Sequence, residues 1–530
     1  MASRKNMPCI LALDHGTSGC KVALVTVEGA VIDFQFEPTP IHFIPGGGAE
    51  QDPNDWWRAF TAASRTLIRR AAVPGKNISA IAVSSTFSST VAVDSNGRAL
   101  MNSLTWMDSR GAPFIRKLMR GIINIEGFGI TKILRWIHKT GGGPQLSGKD
   151  DIAHVLYVKN NHPDIYEKTY RFLGSKDYFN LRLTGEFTSS YDAMTLFWLT
   201  DSRDINSPVY DDSLIARTGI DRDKLPWMMR SVDIAGSLLK SVAGEIGLPP
   251  GLPVFSGSPD HQSALVGSGA VRDFEGHLYI GTSSWVECIV PFKKTDILHS
   301  IASLPSSIPG KYQCINEQDM AGGCLTFLAE NILFHRNILR SRNSVKEPYR
   351  AMDEIAELVP PGSNGLIFTP WLHGERSPVD TTSLRAGLYN MSVTTTMDEI
   401  IRSFYEGVAY NTRWNMQYVE KFTGKPFQGL NMIGGGAKSG VWCRIFADIL
   451  DRPIRQVEDP MQANARGAAF IASVGLGHIS FEDIPGLTVI SRTFEPEQKN
   501  RKLYDELYAE FISIYSNNRK MYDRMNRDLQ

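Results

Sequence analysis

The sequence predicts an α/β protein of two lobes, and three observations carry that prediction. Short apolar strand runs alternate with stretches of helical spacing from the N-terminus onward. The run Gly247-Leu248-Pro249-Pro250-Gly251-Leu252-Pro253 interrupts this pattern, and beyond it the strand-then-helix order starts again. At 530 residues and 42% hydrophobic side chains, the chain is too long for one ordinary domain and apolar enough for substantial cores. The expected division is residues 1–250 and 251–530.

Each element has a local reason. Ile10 to Leu13 reads as a strand, Asp14-His15-Gly16-Thr17-Ser18-Gly19 as a turn, and Cys20 to Val27 as the returning strand. Glu28-Gly29 turns the chain into Val31 to Phe36. Asp52 is a good N-cap and Pro53 suits the first helical position, after which Trp56, Phe60, Ala63 and Leu67 recur at helical spacing. Ile78 to Val83 and Thr90 to Val93 read as strands, with a turn at Asp94-Ser95-Asn96-Gly97. Residues 112 to 150 resist assignment and contain the loop-like Gly141-Gly142-Gly143-Pro144. After the Gly/Pro run, taken as the crossover between lobes, Val254-Phe255-Ser256 is strand-like. Leu278-Tyr279-Ile280-Gly281-Thr282-Ser283-Ser284 resembles the first hairpin, through either duplication or chance. Leu430 to Ile433 predicts a strand, and Trp442, Ile445, Phe446 and Ile449 predict a helix. Tyr504, Tyr508, Phe511 and Tyr515 predict a docked amphipathic C-terminal helix.

Charge and cysteine usage exclude several function classes. Lys+Arg and Asp+Glu are both 56, so no global basic field exists to hold nucleic acid or an anionic membrane. Cys9, Cys20, Cys288, Cys314, Cys324 and Cys443 form no Cys-x-x-Cys pair and no zinc spacing, which predicts free thiols in a reducing compartment. Asp14 cuts off the N-terminal apolar run too early for a secretory leader, and no segment approaches the roughly 20 apolar residues of a membrane span. A cytoplasmic protein is expected, with a homodimer among the states the sequence allows.

The common nucleotide motifs are absent: no G-x-x-x-x-G-K-[ST] loop, no dinucleotide fingerprint at Gly267-x-Gly269, no H-E-x-x-H. Three other cradles remain. In Asp14-x-Gly16-Thr17-Ser18 a glycine lets backbone N–H groups approach phosphate, two hydroxyls add donors, Lys21 adds charge, and Asp14 can hold Mg²⁺ through water. An ordinary hairpin turn explains the same residues. In Ser256-Gly257-Ser258-Pro259-Asp260-His261-Gln262 the carboxylate can serve as a general base, or simply cap the next helix. Gly434-Gly435-Gly436-Ala437 can carry a flat ligand on bare backbone, or be a tight strand-to-helix turn.

Taken in order, DHGTSGCKVALV, EQDPNDWW, WMDSR, KDYFNLRLTGEF, GLPVFSGSPDHQSALVGSGAV, LYIGTSS, RAGLYN–EIIRSFYEGVAYN, MIGGGAKSGVWCRIFADIL and ARGAAFIAS–GLG resemble the FGGY carbohydrate kinase family, closest to its xylulose-kinase-like branch. The likeness spans Leu11 to about Tyr515. It implies an actin/hexokinase-like (ribonuclease H-like) pair of lobes with ATP and a small sugar or polyol in the cleft. It further implies that Asp14 is the metal-associated carboxylate, with Gly16, Thr17, Ser18 and Lys21 at the phosphates. Gly281, Thr282 and Ser283 match a second phosphate hairpin, and Gly322 a further nucleotide contact. Gly435, Gly436 and Gly440 match the adenosine motif. Asp260 is implied as the base, with His261, Asp108 and Arg110 at the sugar.

The chain also departs from the family. Xylulose kinases commonly read Ser-Gly-Gln-Met-His-Gly where this chain has Ser84-Ser85-Thr86-Phe87-Ser88-Ser89, so Phe87 and Ser88 replace the Met-His pair. Their Trp-Asn-Asp-x-Arg appears as Trp106-Met107-Asp108-Ser109-Arg110. The expected activity is ATP- and Mg²⁺-dependent phosphorylation of a primary hydroxyl of a pentulose or related polyol. An actin-like or chaperone-like ATPase and a sugar-responsive regulator are the rivals.

Overall fold

A computed structural model describes residues 7–71, 73–333 and 346–526. The first lobe opens with a meander: β1 (Cys9–Gly16), β2 (Gly19–Thr26) and β3 (Val31–Pro38), each antiparallel to the last. The strands run further than the sequence suggested, so the turn shrinks to Thr17-Ser18. Helix α1 (Pro53–Ala71) follows, its start held by Asp52, whose Oδ1 accepts the Asn54 N–H at 2.8 Å. Strand β4 (Ile78–Ser85) lies parallel to β1. Residues 112–150 prove to hold two helices, Ala112–Met119 and Ile130–Thr140, around a small hairpin. Helix α2 (Asp151–Asn161) comes next.

Strand β1 is buried on both faces, and the period of two sorts its residues. Cys9, Leu11 and Leu13 join Trp56, Phe60, Ala63 and Leu67 of α1 in one core. Ile10 and Ala12 face Ala465, Ala468, Ala469 and Ala472, more than four hundred and fifty residues on, in another.

The first sheet does not stop at the expected 250/251 division. Strand β5 (Ile234–Ser237) pairs antiparallel with β6 (Pro253–Phe255), and β6 lies parallel to β4. Ser258–Pro259 also pairs with the end of β4. The Gly/Pro run therefore returns the chain to the first sheet instead of crossing to the other lobe. Val254 and Phe255, both fully buried, supply the reason. Helix α3 (Asp260–Gly267) follows directly.

The second lobe repeats the plan. Strands β7 (Gly276–Ile280), β8 (Ser284–Val290) and β9 (Tyr312–Ile315) are antiparallel neighbours. Helix α4 (Gly322–Phe327) follows them, and the long α5 (Met397–Thr423) is fixed at its start by a Thr396/Glu399 capping box. Strand β10 (Leu430–Ile433) is parallel to β7, and α6 (Gly440–Leu450) follows it. Strand β11 (Ile454–Val457) is parallel to β10, α7 (Ala463–Gly475) comes next, and β12 (Ile490–Phe494) pairs antiparallel with β11. The first sheet runs β3-β2-β1-β4-β6-β5 and the second contains β9-β8-β7-β10-β11-β12, with the same strand senses. That match extends the Gly-Thr-Ser likeness into a repeated topology. Helix α8 (Arg501–Met525) docks as expected, burying Tyr504, Tyr508 and Phe511.

Helices α3 and α7 cross where the two halves meet. A Cβ on Gly267 would lie 1.8 Å from the Ala463 carbonyl oxygen, and one on Gly467 would lie 1.8 Å from that of Ser263. Backbone touches backbone there, which only glycine permits.

All six cysteines are free and buried. Burial pushes the Cys9 thiol up to about 11 and that of Cys443 up to about 12. Among the described residues no helix is long and apolar enough to cross a membrane.

Candidate active site

The two hairpin turns and the ends of β4, β6 and β10 carry nearly every residue singled out from the sequence. In the β1–β2 turn, Gln51 Nε2 donates to the Thr17 carbonyl at 2.9 Å, and Trp106 Nε1 donates to Thr17 Oγ1 at 2.9 Å. Ser18 is exposed and Gly16 is open around its Cα. Lys21 Nζ reaches across to the turn before α7, donating to the Met461 carbonyl at 2.7 Å and to Asp14 Oδ2 at 3.2 Å. Asn464 Nδ2 donates to Asp14 Oδ1 at 3.4 Å.

The second hairpin is braced by α4. Gly322 N–H donates to the Gly281 carbonyl at 2.8 Å, Ala321 N–H to that of Thr282 at 2.8 Å, and Gly281 N–H to that of Ser283 at 2.9 Å. Thr282 stands exposed at the tip. Gly322 thus acts first on the hairpin, since its N–H is already committed.

The Gly434-Gly435-Gly436 turn separates into two kinds of glycine. A Cβ on Gly436 would lie 2.4 Å from Ile280 Cγ2, so packing against β7 requires that glycine, whereas nothing lies within 4 Å of the same point on Gly435. Gly440 opens α6, capped by Ser439, whose Oγ accepts the Trp442 N–H at 3.0 Å.

Asp260 is the first residue of α3 and does not cap it. The N-cap is Pro259, and among the described residues the carboxylate accepts only the His261 N–H, at 3.0 Å. Burial pushes its pKa up to about 6, opposed by His261 and reinforced by Asp14 and Glu317. Desolvation makes its ionisation harder than that of a free aspartate.

His261 leads to residues that sequence reasoning passed over. Its Nδ1 lies 2.8 Å from Glu287 Oε1, and Gln313 Nε2 donates to Glu287 Oε2 at 2.7 Å. Burial alone would lower the imidazole pKa, but Glu287 prevails and raises it to about 9. The ring stacks on Trp285 at 4.0 Å, and Trp285 stacks on Tyr279 at 3.9 Å. The signal was present in the sequence. His277, Tyr279, Trp285 and Glu287 alternate along the β7–β8 hairpin, so the period of two puts them on one face, as the pairs His277–Glu287 and Tyr279–Trp285.

Phe87 is half-buried, belongs to neither lobe core, and leans on His261 with ring centroids 5.7 Å apart. Ser88, at φ 52°, donates from Oγ to the Lys149 carbonyl at 2.7 Å. Asp108 fares differently from its expected place at the sugar. It is fully buried, and its oxygens accept the Ala49 N–H at 3.0 Å, the Arg110 N–H at 3.0 Å and Arg110 Nε. Its acceptor capacity is spent on anchoring that loop, so it holds Arg110 instead of meeting a ligand. Arg110 in turn pairs with Glu50 at 2.6 Å and lies over the Tyr157 ring. The Gly374-Glu375-Arg376-Ser377-Pro378 segment, which the sequence reading did not single out, brings Arg376 to Glu317 and, at 3.0 Å, to Asp319.

Taken together, the charges of Asp14 and Asp260 act on one another, and Phe87 leans on His261, the neighbour of Asp260. A desolvated carboxylate beside two hydroxyl-bearing turns can take a proton from an alcohol while a phosphate chain lies on the turns.

The FGGY family of carbohydrate kinases matches by its N-terminal domain over residues 9–267 and by its C-terminal domain over residues 277–476. A xylulose kinase of Bacillus subtilis is 27% identical over 523 residues, covering 97% of this chain and 98% of that protein. A gluconokinase of the same organism is 24% identical over 506 residues, covering 95% of each. The crystal structure of ligand-bound xylulose kinase from Lactobacillus acidophilus superposes with TM-score 0.84 at 22% identity, covering 98% of this chain and 99% of that one. The lobes are thus those of the two-domain actin/hexokinase-like fold.

Proposed function

Because the chain belongs to the FGGY family of carbohydrate kinases, we propose that it transfers the terminal phosphoryl group of ATP to a primary hydroxyl of a pentulose or a related polyol. The observation that carries this reading is Asp260, a desolvated carboxylate that does not cap its helix, next to His261, on which Phe87 leans. The sugar hydroxyl oxygen attacks the γ-phosphorus, the bond to the β,γ-bridging oxygen breaks, and ADP leaves. The hydroxyl proton passes to Asp260. With a pKa of about 6, that carboxylate is ionised at neutral pH and a stronger base than a free aspartate.

The turns at Thr17-Ser18 and Thr282-Ser283 supply donors to the phosphates, with Lys21 beside the first. Gly435 offers open backbone for the adenosine. Phe87 offers an apolar face to sugar carbons, and the His261 imidazolium, held by Glu287, offers charge without competing for the proton.

Among the described residues no cluster of three or more His, Cys, Asp or Glu side chains could cage a metal. Mg²⁺ does not need one, since it keeps several waters and binds through one or two carboxylates plus substrate phosphates. Asp14 fits that part: its partners among the described residues, Lys21 and Asn464, lie at 3.2 Å and 3.4 Å and leave lone pairs free. The ion supplies charge neutralisation on the phosphates.

A coupled ADP-release screen over D-xylulose, D-ribulose, hexuloses, gluconate, pentitols, erythritol and glycerol tests the proposal. The expected result is sugar-dependent turnover on a neutral ketose or polyol. ATP hydrolysis indifferent to every sugar would support an actin-like ATPase and remove this reading.

A further inference from the structure

Glu287, in the middle of β8, is fully buried and pointed at from three sides. Its Oε1 lies 2.8 Å from His261 Nδ1 and accepts the Asn316 N–H at 3.3 Å, while Oε2 accepts from Gln313 Nε2 at 2.7 Å. The same Gln313 nitrogen donates to the His261 carbonyl at 3.2 Å, so β9 holds both members of the pair. Asn316 is tied in turn, donating from Nδ2 to the Val286 carbonyl at 2.5 Å and accepting from Asn415 Nδ2 at 2.6 Å. His261 is the only ion-pair partner of Glu287 among the described residues. A buried carboxylate held this tightly fixes whatever it holds.

The imidazole is also fixed by its faces. It stacks on Trp285 at 4.0 Å, and Trp285 is anchored by Nε1, which donates to His277 Nε2 at 3.0 Å. Phe87 leans on the ring at 5.7 Å. What remains is Nε2. It has no partner among the described residues, yet it is not sealed in as His15 Nε2 and His277 Nδ1 are; the side chain is 10% exposed. The His261 N–H donates to Asp260 Oδ1, so a free ring nitrogen and the proton-accepting carboxylate stand on successive residues. The charged groups acting on the ring are Glu287, Asp260 and Glu317, all negative, and together they hold it protonated up to about pH 9. Burial keeps His277 neutral, lowering its pKa to about 3, and Gln313, Trp285 and Phe87 carry no charge. At neutral pH Nε2 is therefore a donor.

We propose that Glu287 is a positioning residue for the acceptor: by holding Nδ1 it aims the Nε2–H of His261 at an acceptor oxygen other than the one phosphorylated. The site then selects sugars and polyols that carry such an oxygen near the reacting hydroxyl. A site built to donate to an oxygen rejects the analogue that lacks it. The assignment rests on the phosphotransfer reading above.

The test compares the best sugar of the screen with its monodeoxy analogues, in wild type, Glu287→Met, His261→Ala and the double variant. Glu287→Met is expected to raise the sugar KM about tenfold, with the ATP KM unchanged and kcat within about threefold. One deoxy analogue should lose about tenfold or more in kcat/KM with wild type, and that penalty should vanish in Glu287→Met. Once His261→Ala has removed the imidazole, Glu287→Met should raise the sugar KM no further. In wild type the sugar KM should climb as pH passes about 9, a rise absent from His261→Ala. Should Glu287→Met not fold, nitrogen NMR of histidine-labelled wild type decides. A histidine Nε2 that keeps its proton to about pH 9 and shifts when sugar binds is the expected signal, and its absence overturns the assignment. So would an unchanged sugar KM in folded Glu287→Met, an ATP KM rising in step, or a deoxy penalty that is missing from wild type or survives the substitution. A wild type inactive on every sugar overturns the kinase reading and this assignment with it; an active wild type that Glu287→Met matches overturns the assignment alone.

Discussion

The two lobes share a strand plan and use its fourth position in opposite ways. In the first lobe β4 runs into Thr86-Phe87-Ser88, where the Phe87 side chain leans on His261. In the second, β10 runs into Gly434-Gly435-Gly436, where side chains are absent. On the function proposed above, the same topological opening would serve a small, three-dimensional acceptor through side chains and a flat base through backbone. The fold provides the place, and residue choice decides what it admits.

The largest test of that division concerns Asp260, at the junction. Asp260→Asn should lower kcat by about 10²–10⁴-fold while ATP and sugar binding persist. Since Asp260 caps nothing, the melting temperature should not fall, and calorimetry and turnover on one sample check both halves. On the nucleotide side, Gly435→Val should weaken binding of a non-hydrolysable ATP analogue roughly tenfold or more in a fully folded protein. Gly436→Val should also lower the melting temperature, because its side chain would strike Ile280. Equal behaviour of the two variants would remove the distinction between packing and binding glycines.

A third test uses pH. The folded pKa of Asp260 is raised to about 6, above the about 3.9 of an unfolded aspartate, so its protonated form is the one folding favours. Its contribution to stability is therefore lost as pH rises from about 4 to 6, while kcat/KM rises through about 6. Asp260→Asn should abolish the stability trend. The smallest effect is expected at the acceptor loop. The double change Phe87→Met with Ser88→His should shift preference toward D-xylulose by about tenfold, read as a ratio of kcat/KM values across the sugar panel.

Much of this architecture was legible because it is local. Trp56 to Leu67 and Trp442 to Ile449 repeat at helical spacing, and the first hairpin is closed by its own residues. The lobe boundary was not legible, because Val254 and Phe255 look like any buried strand and only pairing with β4 assigns them to the first sheet. Asp108 was misjudged for a similar reason. A carboxylate next to an arginine in sequence looks available until a distant backbone N–H, that of Ala49, is found to occupy it.

The burial of all six cysteines has a practical side. Thiols shut inside the lobes, several of them with pKa values pushed upward, react slowly with alkylating reagents in the native state. A single cysteine introduced at an exposed position such as Ser18 or Thr282 would then be the one fast-reacting thiol, with no background to remove. Paired dyes on the two hairpin tips would report the distance between lobes directly, turning a chemically silent surface into a ruler for closure.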